Sequence, residues 1–355
     1  MSGAGAAGDQ FVVAVDCNGA DLGAAEVAAG AALAAEQGVR SLLFGPAAEI
    51  GAMPEGVEVV DAPLSVAKAQ DPVAAVRAAP QASINQATKA VADGRAQALV
   101  CAGGTGAALA SGTFTIRRER GVYRPALAIP IPVPGKPVTL LDVGANADAR
   151  REHIVQFAYM GAALASTILG VERPRIGLLS NGEESARGGS LVKEVNAELA
   201  LRMADTEDLV FVGNVEGDDL VSGIADVIVT DGLTGNISLK LLEGVSQMML
   251  GAIRDAAASS ARGKLGGALL RPALRGFRDE IDPEGEGGAY LLGLRRLGVV
   301  PHGRFTRRGF AQAIIRADRG AREGIVERTH AALERAGALR SAPVSAQGAS
   351  VPGRS

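Results

Sequence analysis

Short apolar runs alternate with longer small-residue stretches of helical spacing along most of the chain. FVVAVD (11–16), SLLFG (41–45), VEVVDAP (57–63), ALVCAGG (98–104), ALAIPIPV (126–133) and VTLLDVGAN (138–146) read as strands. So do RIGLLSNG (175–182), LVFVGNVEG (209–217) and ADVIV (225–229), and most of the nine leave through Gly, Asn or Asp. Between them, residues 23–38, 84–94, a segment from about 105, 151–169 and 190–204 carry helical spacing. Strand-then-helix alternation predicts an α/β fold with a mostly parallel sheet and helices on both faces. We expect a single unit over 11–338, with disordered tails at 1–10 and 340–355. In such sheets ligands bind beyond the carboxyl ends of the strands, where the Gly/Asn/Asp turns fall.

Residues 246–280 break the alternation and read as a protruding helical hairpin with a break near Ser259–Gly267. Leu265, Leu269, Leu270, Leu274 and Phe277 are interleaved with Arg262, Lys264, Arg271, Arg275 and Arg278. Two readings stay open: a surface helix packed on its neighbour, or a basic amphipathic arm for anionic lipid or an acidic partner.

Composition narrows the function. Aromatics are 3% of 355 residues, Trp is absent and the net charge is −3, which argues against nucleic-acid binding by stacking or by a general basic surface. Cys17 and Cys101 make neither a disulfide framework nor a metal cluster and read as small buried thiols, in keeping with a cytoplasmic protein. Ile154 to Val171 approaches the length of a membrane span, but Gln156, Ser166 and Thr167 make it a buried core helix. GxSxG, P-loop, GxGxxG, CxxC and HExxH motifs are missing, and there are three histidines, so a serine hydrolase or zinc enzyme starts poorly.

Four strand ends share one chemistry: Ala102-Gly103-Gly104-Thr105-Gly106, Asp142-Val143-Gly144-Ala145-Asn146, Gly213-Asn214-Val215-Glu216-Gly217 and Asp231-Gly232-Leu233-Thr234-Gly235-Asn236. The first and last run straight into helices, whose N-termini expose N–H groups to an anion. Ordinary capping explains any one of them; four together favour an anion site. Arg187 is a candidate phosphate donor, or a partner of Glu183 at i,i+4 on a solvated helix start, and Lys240 lies one turn beyond Asn236.

The longest ordered runs, LLDVGANADARREHIVQFAYMG (140–161), VGNVEGDDLVSGIADVIVTDGLTGNISLKLLEG (212–244) and GEGGAYLLG (285–293), resemble the bacterial acyl-carrier-protein:phosphate acyltransferases of phospholipid synthesis. The resemblance covers about Val12 to Arg335. It implies a three-layer α/β/α sandwich related to phosphotransacetylases and isocitrate-type dehydrogenases, and a homodimer with sites near its interface. It also implies an arm for peripheral membrane association and no cofactor or metal. The implied reaction passes a long-chain acyl group from acyl-carrier protein to inorganic phosphate. Phosphate is the nucleophile, so no nucleophilic side chain is needed.

On this reading Arg187 and the turns Gly103, Gly104, Thr105, Gly106 and Thr234, Gly235 hold phosphate. Asn236 donates to the thioester carbonyl, Asp231 orients its turn, and His302 is a minor candidate for protonating the thiolate. Asp16, Asp142, Asn146, Asn214, Glu216 and Lys240 are further active-site candidates. The family's usual DAMGGD is Asp16-Cys17-Asn18-Gly19-Ala20-Asp21 here, its AGNTGA has Gly104 for Asn, Arg187 replaces a Lys, and Ala78 and Ala79 replace a basic run. Two alternatives remain: a divergent non-catalytic paralogue that binds carrier protein or membrane, favoured by Gly104 and Arg187, and a phosphotransacetylase using acyl-CoA.

Overall fold

The computed structural model describes residues 11–133 and 137–340. The tails expected to be disordered lie outside the described residues, except for Arg340, whose N–H donates to Gly121 O at 2.8 Å.

Among the described residues eleven strands make one sheet: β1 (Val12–Asp16), β2 (Arg40–Gly45), β3 (Val57–Asp61), β4 (Ala98–Cys101), β5 (Ala126–Ile131), β6 (Val138–Leu141), β7 (Arg175–Leu179), β8 (Val210–Val215), β9 (Val227–Val229), β10 (Ala289–Leu292) and β11 (Leu297–Val300). Their order is β3-β2-β1-β4-β11-β10-β5-β6-β9-β7-β8. Every strand expected from the apolar runs is present, and the sheet is mostly parallel.

β10 and β11 are additions to that reading. They are runs of four residues each, AYLL and LGVV, joined through Gly293, which adopts φ 83°. β11 lies parallel to β4, while β10 is antiparallel to both β11 and β5, and β5 is antiparallel to β6. The strands β1 to β4 and β11 therefore point one way and β6 to β9 the other. A twist of about 20–25° per strand rotates the direction by roughly 100–125° over the five steps from β4 to β9.

Helices cover both faces, because alternate side chains of each strand go to opposite sides. Val13 and Val15 join one core and Ala14 the other. The first face carries α1 (Ala24–Ala35), with Ile50 of the short α2 (Ala47–Ile50) at its border. The second face, over β1, β2 and β4, carries α3 (Pro72–Ala78), α4 (Ser83–Ala92) and α5 (Thr105–Ser111), through Val76, Ile84 and Ala108. α6 (Arg151–Thr167) and α7 (Ser190–Met203) return to the first face through Phe157, Leu164, Val195 and Leu199. The core-helix reading of 151–169 holds: Gln156 is fully buried and spends its amide on Gly121 O, Ala338 O and the N–H of Tyr123.

α8 (Gly232–Ala258) and α9 (Ala261–Glu280) form the hairpin. The expected break narrows to Ser259 and Ser260, and Ser260 caps α9 by accepting from Gly263 N at 2.9 Å. α8 is one continuous helix from the end of β9, so the arm starts inside the sheet layer. Leu239 and Leu242 pack on the second face over β6 and β9, and the rest of α8 leaves the body. α10 (Arg307–Arg322) and α11 (Ile325–Arg335) complete the first face through Phe310, Ile314 and Leu333. Among the described residues no helix is long and apolar enough to cross a membrane.

Close packing of α6 on β9 rests on Gly161, where an added Cβ would lie 2.4 Å from Val227 Cγ1 and 3.2 Å from Leu141 Cδ2. Gly251 on α8 has nothing within 4 Å of such a Cβ. Gly161→Ala is expected to destabilise by about 1–3 kcal/mol through overpacking. Gly251→Ala should stabilise by about 0.5–1 kcal/mol through backbone entropy. Chemical denaturation of both variants checks this, and shifts of the same sign would refute the packing argument.

Candidate functional site

The structure sorts the predicted residues into two groups. Asp142, Asn146, Asp231, Thr234, Gly235 and Asn236 lie at the ends of β6 and β9, with Arg187, Asn214 and Glu216 at the neighbouring ends of β7 and β8. Asp16, Gly103, Gly104, Thr105, Gly106 and His302 lie at the ends of β1, β4 and β11.

In the first group the polar atoms are largely spent on one another. The Asp142 carboxylate, fully buried, accepts N–H groups from Leu127, Gly144, Ala145 and Asn146, and the Asn146 side-chain amide at 2.8 Å. Asn146 also donates to Pro125 O at 2.8 Å, and its own carbonyl accepts from Gly232 N. Asp231 caps α8: it accepts from Leu233 N at 3.0 Å, Thr234 N at 2.9 Å and Thr234 Oγ1 at 2.7 Å. Gly235 N donates to Asp231 O. The turn expected to offer backbone donors to phosphate thus has every N–H from Gly232 to Gly235 engaged. The backbone N–H groups of Thr234 and Gly235 are spent in the helix cap, with the Asp231 carboxylate lying where an anion would accept from Thr234 N. Asn236 gives one amide hydrogen to Val143 O at 3.1 Å, leaving its second hydrogen without a partner among the described residues.

Arg187 also differs from expectation. No helix starts at 183; the segment is an irregular loop before α7, and the guanidinium pairs with Glu184 at 3.1 Å rather than with Glu183. Both side chains are exposed, and a hydrogen bond from its own backbone N–H, joined by one from Arg187, holds the Glu184 carboxyl below its ordinary range. Asn214 ties this loop down: it donates to Glu184 O and accepts from Asn196, both at 2.9 Å. Glu216 contributes its N–H to Asp219 at 2.9 Å. Lys240 pairs with Glu243 at 2.8 Å.

The second group is open where the first is closed. Gly103 has φ 96°, and an added Cβ there would lie 2.7 Å from Gly19 O, so only glycine fits. The backbone N–H groups of Gly104, Thr105 and Gly106 have no partner among the described residues, and Gly104 as the helix cap offers no side chain. Loops 18–21, 67–68 and 301–303 surround them. Asp21 N donates to Gly303 O at 2.7 Å, Lys68 lies 3.7 Å from Asp21, and Ala67 sits 3.2 Å from a Cβ added at Gly104. Lys68 and Gly303 were missed in the sequence, since neither belongs to a motif; Gly19 is visible only as a turn residue.

Beneath this turn Asp16 is 2% exposed. Burial pushes its carboxyl up to about 6, against hydrogen bonds from Ser83, Asn18 N–H and the Cys101 thiol that favour the charged form. Cys17 and Cys101 are both buried, as expected, and burial raises both thiols. They belong to opposite cores.

α8 links the groups. Lys240 lies four residues past Asn236, about 6 Å along the axis. Partial burial holds His302 below the ordinary histidine range, and the charges of Arg304 and Lys240 add to this against Glu243 and Asp21. His302, at the end of β11, thus sits within the field of the first turns of α8. A separate cavity of about 560 Å³ between α6, α11 and the loop 205–209 is lined by none of the predicted residues.

Residues 11–328 match the family model described as "Fatty acid synthesis protein". Relatives named phosphate acyltransferase include one from Gloeothece citriformis, 39% identical over 90% of this chain and 92% of its own, and one from Nitratidesulfovibrio vulgaris, 41% identical over 85% and 89%. Among solved structures, a phosphotransacetylase from Staphylococcus aureus superposes with a TM-score of 0.59 over 88% of this chain and 94% of its own, at 16% identity. One from Streptococcus pyogenes gives 0.59 over 89% and 95%, also at 16% identity. The likeness to these structures supports the α/β fold, and the sequence relatives decide the family: the chain belongs to the phosphate acyltransferases.

Proposed function

We propose that the protein transfers a long-chain acyl group from acyl-carrier protein to inorganic phosphate, giving an acyl phosphate and the free carrier thiol. Family membership supports the reaction class. The observation within the site that carries it is the run of unengaged N–H groups at Gly104, Thr105 and Gly106 beside Lys68, a cradle suited to a small anion. A phosphate oxygen attacks the thioester carbonyl carbon, the carbonyl becomes an oxyanion, and collapse breaks the C–S bond as the thiolate leaves. A thiol of ordinary pKa, about 8.5, leaves without strong acid help. The remaining amide hydrogen of Asn236 is assigned to the oxyanion and Asp231 to holding its turn. Arg187 is assigned to phosphate in exchange for Glu184, and His302 to the departing thiolate. Asp142, Asn146, Asn214 and Asp16 shape the loops.

We also propose a homodimer and a peripheral membrane contact. α8 presents Leu233, Ile237, Leu241, Val245 and Met249, each at least 40% exposed, at four-residue spacing along an oblique ridge of the helix. Such a stripe on an otherwise well-packed protein suits a second copy. On α9, Leu269 and Leu270 are 75% and 58% exposed, beside exposed Arg262, Lys264, Arg271 and Arg275. The side chains of Leu274 and Arg278 lie outside those described.

Three outcomes are expected. With long-chain acyl-carrier protein, free thiol appears only when phosphate is added, hydroxylamine traps the product, and mass spectrometry finds no acyl-enzyme; a stable acyl-enzyme overturns the reaction. Asn236→Ala lowers kcat by about 10²–10³ with little loss of stability, while Arg187→Ala raises the phosphate KM. Unchanged kinetics would leave these two residues as a capping and a surface side chain. Leu269→Glu with Leu270→Glu releases the protein from anionic vesicles while turnover of soluble substrate survives. Wild-type protein that fails to co-sediment at low salt removes the membrane contact.

A further inference from the structure

The cationic side chains of this protein are unevenly paired. Among the described residues many Arg and Lys side chains pair with acids, including Arg175 with Asp226, Arg307 with Glu26 and Arg322 with Asp318. Outside these pairs, one group of arginines on the body of the fold is gathered from two distant segments. The segment RRERGVYR (117–124) and the β10–β11 connection LRR (294–296) are far apart in sequence but joined in the structure. Arg118 bridges Leu294 in antiparallel fashion, and Arg295 N donates to Arg117 O at 3.0 Å. Arg117, Arg118, Arg120, Arg124, Arg295 and Arg296 are all exposed, and none has an ion pair among the described residues. The acid among them, Glu119, accepts from the backbone N–H of Arg120 at 2.7 Å.

The island has aromatic footing. Phe114, 41% exposed in the turn just before Arg117, carries the Arg77 guanidinium 4.6 Å above its ring, and Arg340 lies 6.0 Å from the ring of Tyr123. Arginine and aromatic side chains are the usual energetic anchors of protein–protein contacts. The chain as a whole has a net charge of −3, so a compact group of unpaired arginines is a local inversion of its field. Like charges held together repel, and an acidic partner relieves that repulsion.

The island also abuts the first group of site residues. Arg124 precedes Pro125, whose carbonyl accepts from Asn146, and Leu127 N donates to Asp142. At the other end of this stretch Tyr123 packs against His153 on α6, with ring centroids 5.9 Å apart. A partner seated on the arginines lies against the loops that lead to Asn236.

We propose that the island of Arg117, Arg118, Arg120, Arg124, Arg295 and Arg296 is the docking surface for the acidic carrier protein that delivers the acyl chain. The proposal rests on the acyl-carrier reading above and gives that donor its place on the surface. Complementary charge at such a rim speeds encounter and selects the partner, while the acyl thioester is handled by the loops beyond it.

The test uses the double variant Arg120→Glu with Arg296→Glu. Titration with the carrier protein lacking its prosthetic arm reads docking alone, and its Kd should weaken about tenfold or more, with a flatter salt dependence than wild type. With acyl-carrier protein and phosphate the variant's KM should rise by a similar factor at unchanged kcat, while palmitoyl-CoA turnover stays at the wild-type level. An unchanged Kd in the folded variant overturns the proposal. Equal loss on both donors also overturns it, because damage to the site then explains the effect. Loss of vesicle binding with normal carrier binding reassigns the island to lipid. Wild-type protein that binds no carrier and releases no thiol from it refutes the acyl-carrier reading itself.

Discussion

A single buried carboxylate organises the half of the molecule from which the arm departs. Asp142 collects four backbone N–H groups and one side-chain amide inside the protein. A carboxylate without such partners would cost several kcal/mol to bury, so the surrounding backbone has little freedom. Leu127 N fixes the start of β5 against the end of β6. The 142–146 turn wraps its own acid, and the carbonyl of Asn146 then receives Gly232 N as α8 begins. Gly235 permits that approach, since an added Cβ would fall 2.0 Å from Asp142 O. Strand pairing, turn and helix entry thus depend on one side chain.

The same turn chemistry produces opposite functional outcomes at the two strand-end groups. Where an aspartate stands at the first position, as at 142 and 231, its carboxylate fills the nest of N–H groups and the turn is closed to other anions. Where the chain has Ala102-Gly103-Gly104, no side chain fills the nest and the donors stay open. Gly104, a departure that costs an asparagine donor in the resemblance, lets Ala67 pack where a side chain would begin. Lys68 and the loop carrying His302 and Arg304 approach it from other strands.

Much of this was legible in the chain. The period-two and helical patterns locate the long elements, because burial of one face leaves its mark on every second or every third and fourth residue. They do not reveal β10 and β11, whose four-residue runs are buried throughout and whose partners, β4 and β5, are distant in sequence. The turns stand out as Gly/Asn/Asp clusters, yet which of them keeps free donors depends on hydrogen bonds that composition does not encode. Arg187 illustrates the limit: one residue's difference between Glu183 and Glu184 changes a helical pair into a loop contact. The arginine island is hidden for a similar reason, since only the bridge between Arg118 and Leu294 unites its two segments.

The placement of β11 also governs how this chain emerges from a ribosome. β4 is made early, but its neighbour in the sheet starts at Leu297, paired with Ala98. At about 5–20 residues per second, the intervening stretch takes roughly 10–40 s to synthesise. Throughout that time the edge of β4 has no strand to close it, and open edges invite pairing with other chains. Nascent protein therefore passes through a window in which its first half is folded on one side and adhesive on the other. Completing the sheet is a late event, and the last hundred residues act on the first hundred as a clasp.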